Sequence, residues 1–466
     1  MRRRLMRNNL KLEAAAVLML VTVLAGCSKA ETEPAQNVKA GIADLRAKVS
    51  VASNQSGLFW WEYRRAGGPW IRTVPRSYGG VNATDRILTE RLRTDCTGIS
   101  GCTDVRLKSN TRYEFRFAAT QNGTGPFYVD ANGTITGTHY DSFVTGSRPK
   151  VFPILYTWWD SGHWAAKLGP NYPYGEPWPL PASLDAQGCN PSNIYAGNQL
   201  TDVSPGLADD LGRPGVIENY VREANSRGLA GFMVNWVDAP DENARLTEAL
   251  RATNEVNAEG NNFKIILDYR TNGAVVPMSR VISDLQYFIA NYRTNPALDH
   301  SFSAKPEVVV RKTRDYSEAD KTALKNAVGG AVYLIGDESY TTGWDAQDAT
   351  NFDANSYYWS SQDPYDNPQS FGHLQSLSSE IHAAGDKWLA PFTPGYNTQL
   401  DGGSCIPRER DGKTTLRELF NGNKASNPDA WTLISWNEIA EGTYVLPLKR
   451  WGSKWLEKLE ALLAEQ

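Results

Sequence analysis

Histidine, cysteine and methionine each occur only five times in 466 residues. His139, His163, His300, His373 and His382 are scattered without HExxH spacing, and no CxxC pair is present. The familiar zinc constellations are therefore excluded, and no metal or other cofactor is expected. A strong charge of one sign is also missing: 48 Lys and Arg stand against 52 Asp and Glu, for a net charge of −4. That balance excludes a nucleic-acid footprint, and a hydrophobic content of 41% excludes disorder throughout. At this length the chain can bury a large core and form two or three domains.

What the chain has in plenty is aromatic surface, with 15 Trp and 21 Tyr. Such side chains offer a flat apolar face and a polar tip, which suits core packing and equally suits stacking on sugar rings.

Residues 1–27 are expected to be an address. "MRRRLMRNNLK" is a basic leader, "AAAVLMLVTVL" an apolar core short for a membrane span, and "LAGC" a small-residue stop ending in Cys27. Leu24-Ala25-Gly26-Cys27 resembles the bacterial lipobox, which implies cleavage before Cys27, its acylation, and a lipid anchor in the cell envelope. Ser28 stands where an inner-membrane retention signal usually has Asp, so an outer membrane or cell surface is expected where the host has two membranes. Residues 28–39, polar and proline-containing, read as a flexible tether. With Cys27 assigned to lipid, Cys96 and Cys102 are six apart and close an easy loop, leaving Cys189 and Cys405 for a second disulfide. Spacing does not determine that connectivity.

Residues 40–147 read as all-β. "TRYEFRFAA" alternates Tyr113, Phe115 and Phe117 with Arg112, Glu114 and Arg116, and Asn132-Gly133 between extended runs signals a hairpin. "LKSNTRYEFRF" resembles the fibronectin type III strand that carries a corner tyrosine, here Tyr113, so a small immunoglobulin/fibronectin III-like sandwich is expected. "GLFWWEYRRAGGPW" holds three tryptophans, which fit a sandwich core or a carbohydrate-binding face.

After "GSRPKVFP" the period changes. From 148 to 466, apolar strand-like runs alternate with helical patterns, giving eight strand candidates and seven clear helices. The crossover after "GAVYLIGD" is poorly defined. Runs apolar on both faces suit parallel strands covered by helices, and eight such repeats predict an α/β fold, a (β/α)8 TIM barrel. No Gly-rich phosphate turn follows the first strand, which argues against a doubly wound sheet.

A barrel of this kind carries its active site at the C-terminal strand ends. Polar and aromatic residues gather there: Tyr156, Trp158, Trp159, Asp160, His163 and Trp164 after the first strand, and Trp236 and Asp238 after the second. Asp268, Tyr269 and Arg270 follow the third, Trp359 the sixth, Tyr396 the seventh, and Asn437, Glu438 and Glu441 the eighth. Glycoside hydrolysis needs one protonated and one ionised carboxyl group about the scissile bond. Two glutamates at i and i+3 of one turn suit that chemistry, at roughly the 5–5.5 Å separation of retaining enzymes. An Asp-rich stretch, "DESYTTGWDAQDATNFD", reads as a solvated loop, with a Ca²⁺ site as the alternative.

The constellation also resembles a known family. "SWNEIAEGTYVLP" looks like the Asn-Glu-x-x-Glu-Gly-Thr signature of glycoside hydrolase family 99-like barrels, which comprise endo-α-mannosidases and related lipoproteins. "PGYN", "LYTWW…GHW", "GLAGFMVNW" and "FDANSYYW" are similar to that family's seventh, first, second and sixth strand ends. The resemblance implies an endo-acting, retaining hydrolase of poly- or oligosaccharide in which Glu438 assists the substrate 2-hydroxyl through an anhydro-sugar and Glu441 is the general acid/base. It departs at Ile439-Ala440, where the family has an aromatic pair, at Leu446 in place of an acidic residue, and at Asp268 in place of Glu, so mannan specificity does not carry over. The expectation is a monomeric, envelope-anchored glycoside hydrolase. A non-catalytic glycan-binding or polysaccharide-assembly lipoprotein is the alternative.

Overall fold

The computed structural model describes residues 29–51, 55–79, 83–129, 140–160, 162–163, 211–271, 276–358, 369–396, 415–438, 441–447 and 452–466. They fall into two compact units, Met1–Arg148 with Glu460–Gln466, and Pro149–Leu459. Cys27, Trp164, Cys189, Trp359, Cys405 and the Asn132-Gly133 hairpin lie outside the described residues.

The N-terminal unit contains strands β1 (Lys29–Gln36), β2 (Ala43–Val51), β3 (Ser56–Arg65), β4 (Ile71–Arg72), β5 (Arg76–Gly79), β6 (Ala83–Arg93), β7 (Cys102–Asp104), β8 (Arg112–Gln121), β9 (Thr124–Val129) and β10 (Asp141–Val144). One sheet runs β1-β2-β6-β7; the other runs β10-β8-β3-β4, with β5 also on β3 and β9 on β8. The alternation in β8 does what period two requires. Tyr113, Phe115 and Phe117 join Trp61, Phe59, Leu45 and Phe143 in one core. On the other face Arg116 pairs with Glu62 at 2.7 Å, and Arg64 pairs with Glu114 at 2.7 Å. The Tyr113 hydroxyl accepts the Lys108 N–H at 2.9 Å, the corner hydrogen bond of such sandwiches. Cys96 and Cys102 are disulfide-bonded, with Cα atoms 5.6 Å apart.

Residues 29–36, read from sequence as part of a tether, instead form β1, paired antiparallel with β2. The composition misleads because this is a sheet-edge strand, stabilised mainly by its ladder of backbone hydrogen bonds. Only small side chains are needed on its inner face, where Thr32 is buried and Ala30 and Ala35 pack on the core.

The second unit is a closed barrel of eight strands in chain order: β11 (Val151–Tyr156), β12 (Gly231–Trp236), β13 (Lys264–Tyr269), β14 (Glu307–Val310), β15 (Tyr333–Gly336), β16 (Ala354–Asn355), β17 (Lys387–Phe392) and β18 (Ala430–Leu433). Each neighbouring pair is parallel, and β18 closes on β11. The described helices include α1 (Val216–Ser226), α2 (Pro240–Ala258), α3 (Met278–Asn291), α4 (Glu318–Val328), α5 (Asp348–Asn351), α6 (Ser370–Ala384), α7 (Thr415–Lys424) and α8 (Lys454–Ala464). The crossover that the sequence left undefined contains the single turn α5, and the following strand, β16, is only two residues long.

The strands are buried on both faces, as their apolar runs predict. Outward, Trp431 of β18 stacks on Phe420 of α7 at 4.1 Å, with Phe392 of β17 edge-on to both. Inward, the Met233 sulfur receives Arg311 Nη2 at 3.6 Å and Thr432 Oγ1 at 3.7 Å, contacts that cross the barrel interior.

At the opposite, N-terminal end of the barrel, Glu307 and Asp299 are buried together. The Ser301 hydroxyl lies 3.2 Å from a carboxylate oxygen of each. Burial, then the Asp299 charge, pushes Glu307 from 4.5 up to about 8. Between those two values the folded chain holds a proton that the unfolded chain has released. Stability should therefore fall as pH rises from about 4.5 to 8 and then level off, by up to about 5 kcal/mol from this group. Urea unfolding across that range should show the slope, and Glu307→Gln should flatten it.

Candidate active site

The strand-eight turn is tied to strand one by an amide. Asn437 accepts the Tyr156 N–H through Oδ1 and donates to the Tyr156 carbonyl through Nδ2, both at 2.9 Å. The turn then closes on itself. Glu438 N–H donates to Ser435 Oγ at 2.8 Å, Ser435 N–H to the Thr443 carbonyl at 2.7 Å, and Thr443 N–H to the Glu438 carbonyl at 3.2 Å. Gly442, at φ +67°, supplies the left-handed residue that lets the chain return just after Glu441. Glu438 is buried and Glu441 half-buried.

Tyr358 approaches this turn from the loop after β16. Its N–H donates to Asp337 Oδ1 at 2.7 Å, while Asp337 also accepts the Lys312 N–H at 2.8 Å and pairs with Arg314 at 3.0 Å. One buried carboxylate thus gathers the loops that follow β14, β15 and β16. The Tyr358 hydroxyl then donates to Glu441 Oε2 at 3.3 Å and lies 3.1 Å from the Tyr156 hydroxyl.

Both phenols are held well above their ordinary pKa, by burial first and then by the charge of Glu441. Glu438 adds to the effect on each. Two consequences follow. The phenols stay neutral donors, and the charges of both glutamates act on them.

Beneath them lies an ion pair. Arg311, at the end of β14, meets Asp268 of β13 at 2.5 Å, donates to the Ser356 carbonyl at 2.8 Å, and lies 5.6 Å from the Tyr358 ring centre. Asn235 of β12 donates to the second Asp268 oxygen at 2.6 Å. Burial opposes the charge on Arg311, but the Asp268 and Asp337 carboxylates outweigh it and raise the guanidinium pKa.

Trp158 forms one wall. It packs on Tyr156 at 4.5 Å, and the Arg270 guanidinium lies 4.5 Å over its ring while pairing with Glu242 of α2. The neighbouring residues are scaffold. Asp160 accepts the His163 N–H at 2.8 Å and pairs with Arg245 at 2.6 Å, and Trp159 is buried edge-on to the His163 ring at 4.8 Å. Asp160 is acidified because these partners outweigh its burial, the largest single influence. Tyr396 is half-buried in the loop after β17.

Three of the residues expected to bind substrate face away. Trp236 is buried, donates to Asn243 at 2.8 Å and packs on Phe288 of α3. Tyr269 is buried and donates to Asp284 of α3 at 3.0 Å. Asp238 accepts from Asn243 at 2.7 Å and caps this helical layer. Strand alternation is the reason: Asn235 and Asp268 point inward, so Trp236 and Tyr269 must point out. Asp268 itself belongs to the floor, paired with Arg311, and does not line the mouth. The sequence reading missed Arg311. An arginine directly after "EVVV" was the available signal for Arg311.

No family model and no curated protein matches the chain. Two solved structures of the GH99 endo-α-mannosidase from Bacteroides thetaiotaomicron are similar to it, one of them in complex with Bis-Tris propane. Identity is 15% and 16%, the TM-score is 0.50 for each, and each match covers 67% of this chain and 96% of the other. The likeness is one of fold.

Removing one member of the floor pair leaves a buried, uncompensated charge. Arg311→Met should cost about 3–5 kcal/mol in urea unfolding. The double variant Arg311→Met/Asp268→Leu should recover most of that loss.

Proposed function

We propose that this barrel is a glycoside hydrolase acting on a poly- or oligosaccharide, with Glu438 and Glu441 as its carboxyl pair. The observation that carries the reading is the hydrogen bond to Glu441 from the Tyr156–Tyr358 hydroxyl pair at the C-terminal end of the barrel, with Glu438 buried three residues earlier in the same turn. Glu441, half-buried and bonded by a neutral phenol, serves as general acid and then general base. Glu438, the more deeply placed, takes the proton of the substrate 2-hydroxyl as that oxygen closes on the anomeric carbon. The leaving oxygen takes the proton of Glu441. Water, deprotonated by Glu441, then opens the anhydro-sugar, the 2-hydroxyl recovers its proton from Glu438, and configuration is retained. Endo action, lipid anchoring through Cys27 in the cell envelope, and a monomeric state belong to the same proposal and rest on the sequence.

The test is release of oligosaccharides by residues 28–466 from a panel of α-linked bacterial and fungal polysaccharides. Loss of the general acid in Glu441→Gln should lower kcat by about 10²–10⁴-fold. Loss of one hydrogen bond to that group in Tyr358→Phe should lower it by about tenfold. Glycan binding without release by the unmodified chain would overturn the hydrolase in favour of a glycan-binding lipoprotein.

A further inference from the structure

A second aromatic cluster stands on the rim away from Trp158. Tyr340 follows β15, Tyr357 follows β16, and His373 lies in the first turn of α6. The Tyr340 and His373 rings are stacked with centroids 4.8 Å apart and planes 29° from parallel. Tyr357 meets Tyr340 edge-on at 5.9 Å, and the Arg314 guanidinium lies 5.5 Å over the Tyr357 ring. All four side chains are half-buried. Tyr357 and Tyr358 are sequence neighbours whose side chains diverge, one to Tyr340 and Arg314, the other to Glu441 and Arg311.

The order of strands around the closed sheet locates this cluster. Trp158 and Arg270 follow the first and third strands of the ring, and the Tyr340 cluster follows the fifth and sixth. The two groups therefore sit across the barrel mouth from one another, with the Tyr156–Tyr358–Glu441 chain between them. A tyrosine stacked on an imidazole, with a second tyrosine edge-on beneath a guanidinium, combines aromatic faces and polar atoms that suit the apolar face and hydroxyl rim of a pyranose.

We infer that Tyr340, Tyr357 and His373 form a second sugar subsite, which takes a residue of the same glycan chain on the far side of the cleavage point from Trp158. This rests on the hydrolase reading and deepens it. A chain held on both sides of the acid is cut internally, whereas an enzyme with one wall would trim ends.

The test is affinity electrophoresis of residues 28–466 through gels containing yeast α-mannan, dextran or pullulan, with Glu441→Gln run beside the unmodified chain. On whichever polymer retards both, Tyr340→Ala and His373→Ala should each weaken retardation about fivefold to tenfold. Tyr340→Phe should keep it, and all variants should melt within about 2 °C of the parent. Equal retardation of Tyr340→Ala and His373→Ala would overturn the subsite and leave the hydrolase standing. Absence of both retardation and cleavage on every polymer would overturn the two readings together.

Discussion

One side-chain amide fixes the geometry on which the site depends. Asn437 takes both the N–H and the carbonyl of Tyr156, and so locks the strand-eight turn to the end of strand one. Glu438 is the next residue and Glu441 follows on the same closed turn. Tyr156 meanwhile presents its hydroxyl to Tyr358. If the turn shifted by one residue, Glu441 would leave the Tyr358 hydroxyl from which it now accepts. An asparagine suits this post because a single amide supplies one donor and one acceptor in a plane.

The second constraint is desolvation. Tyr156, Arg311 and Asp268 are buried in the barrel, and Tyr358 is half-buried beside them. Charges there are tolerable only in pairs, which is why the cation at the floor comes with Asp268 and Asp337. The same dry surroundings keep the phenols protonated next to two carboxylates. A neutral hydroxyl that bonds to Glu441 orients it without adding charge. The floor is thus a support for the tyrosine–glutamate layer, built from different residues and with a different electrostatic task.

The barrel and the sandwich were legible in the sequence because their signals are periodic. Runs such as "KVFPILY", "FMVNW" and "KIILDY" report burial on two faces, and "TRYEFRF" reports burial on one. The sequence also placed Glu438 and Glu441 after the eighth strand, where the structure has them. What failed did so for definite reasons. Reading Trp236 and Tyr269 as substrate contacts ignored that adjacent strand residues point to opposite sides, so both went to the helix layer. The first strand of the sandwich was hidden by its polar composition, since its inner face asks only for Ala30, Thr32 and Ala35. Arg311 could not be placed from sequence alone, because its role depends on Asp268, Ser356 and Tyr358, which come from other strand ends.

The most direct measurement is a crystal structure of Glu441→Gln soaked with an oligosaccharide drawn from the polymer that the protein binds. The account predicts a glycosidic oxygen within hydrogen-bond reach of residue 441, with a sugar hydroxyl facing Glu438. A glycan bound only to the β-sandwich, or one crossing the barrel with no glycosidic oxygen near residue 441, would contradict it.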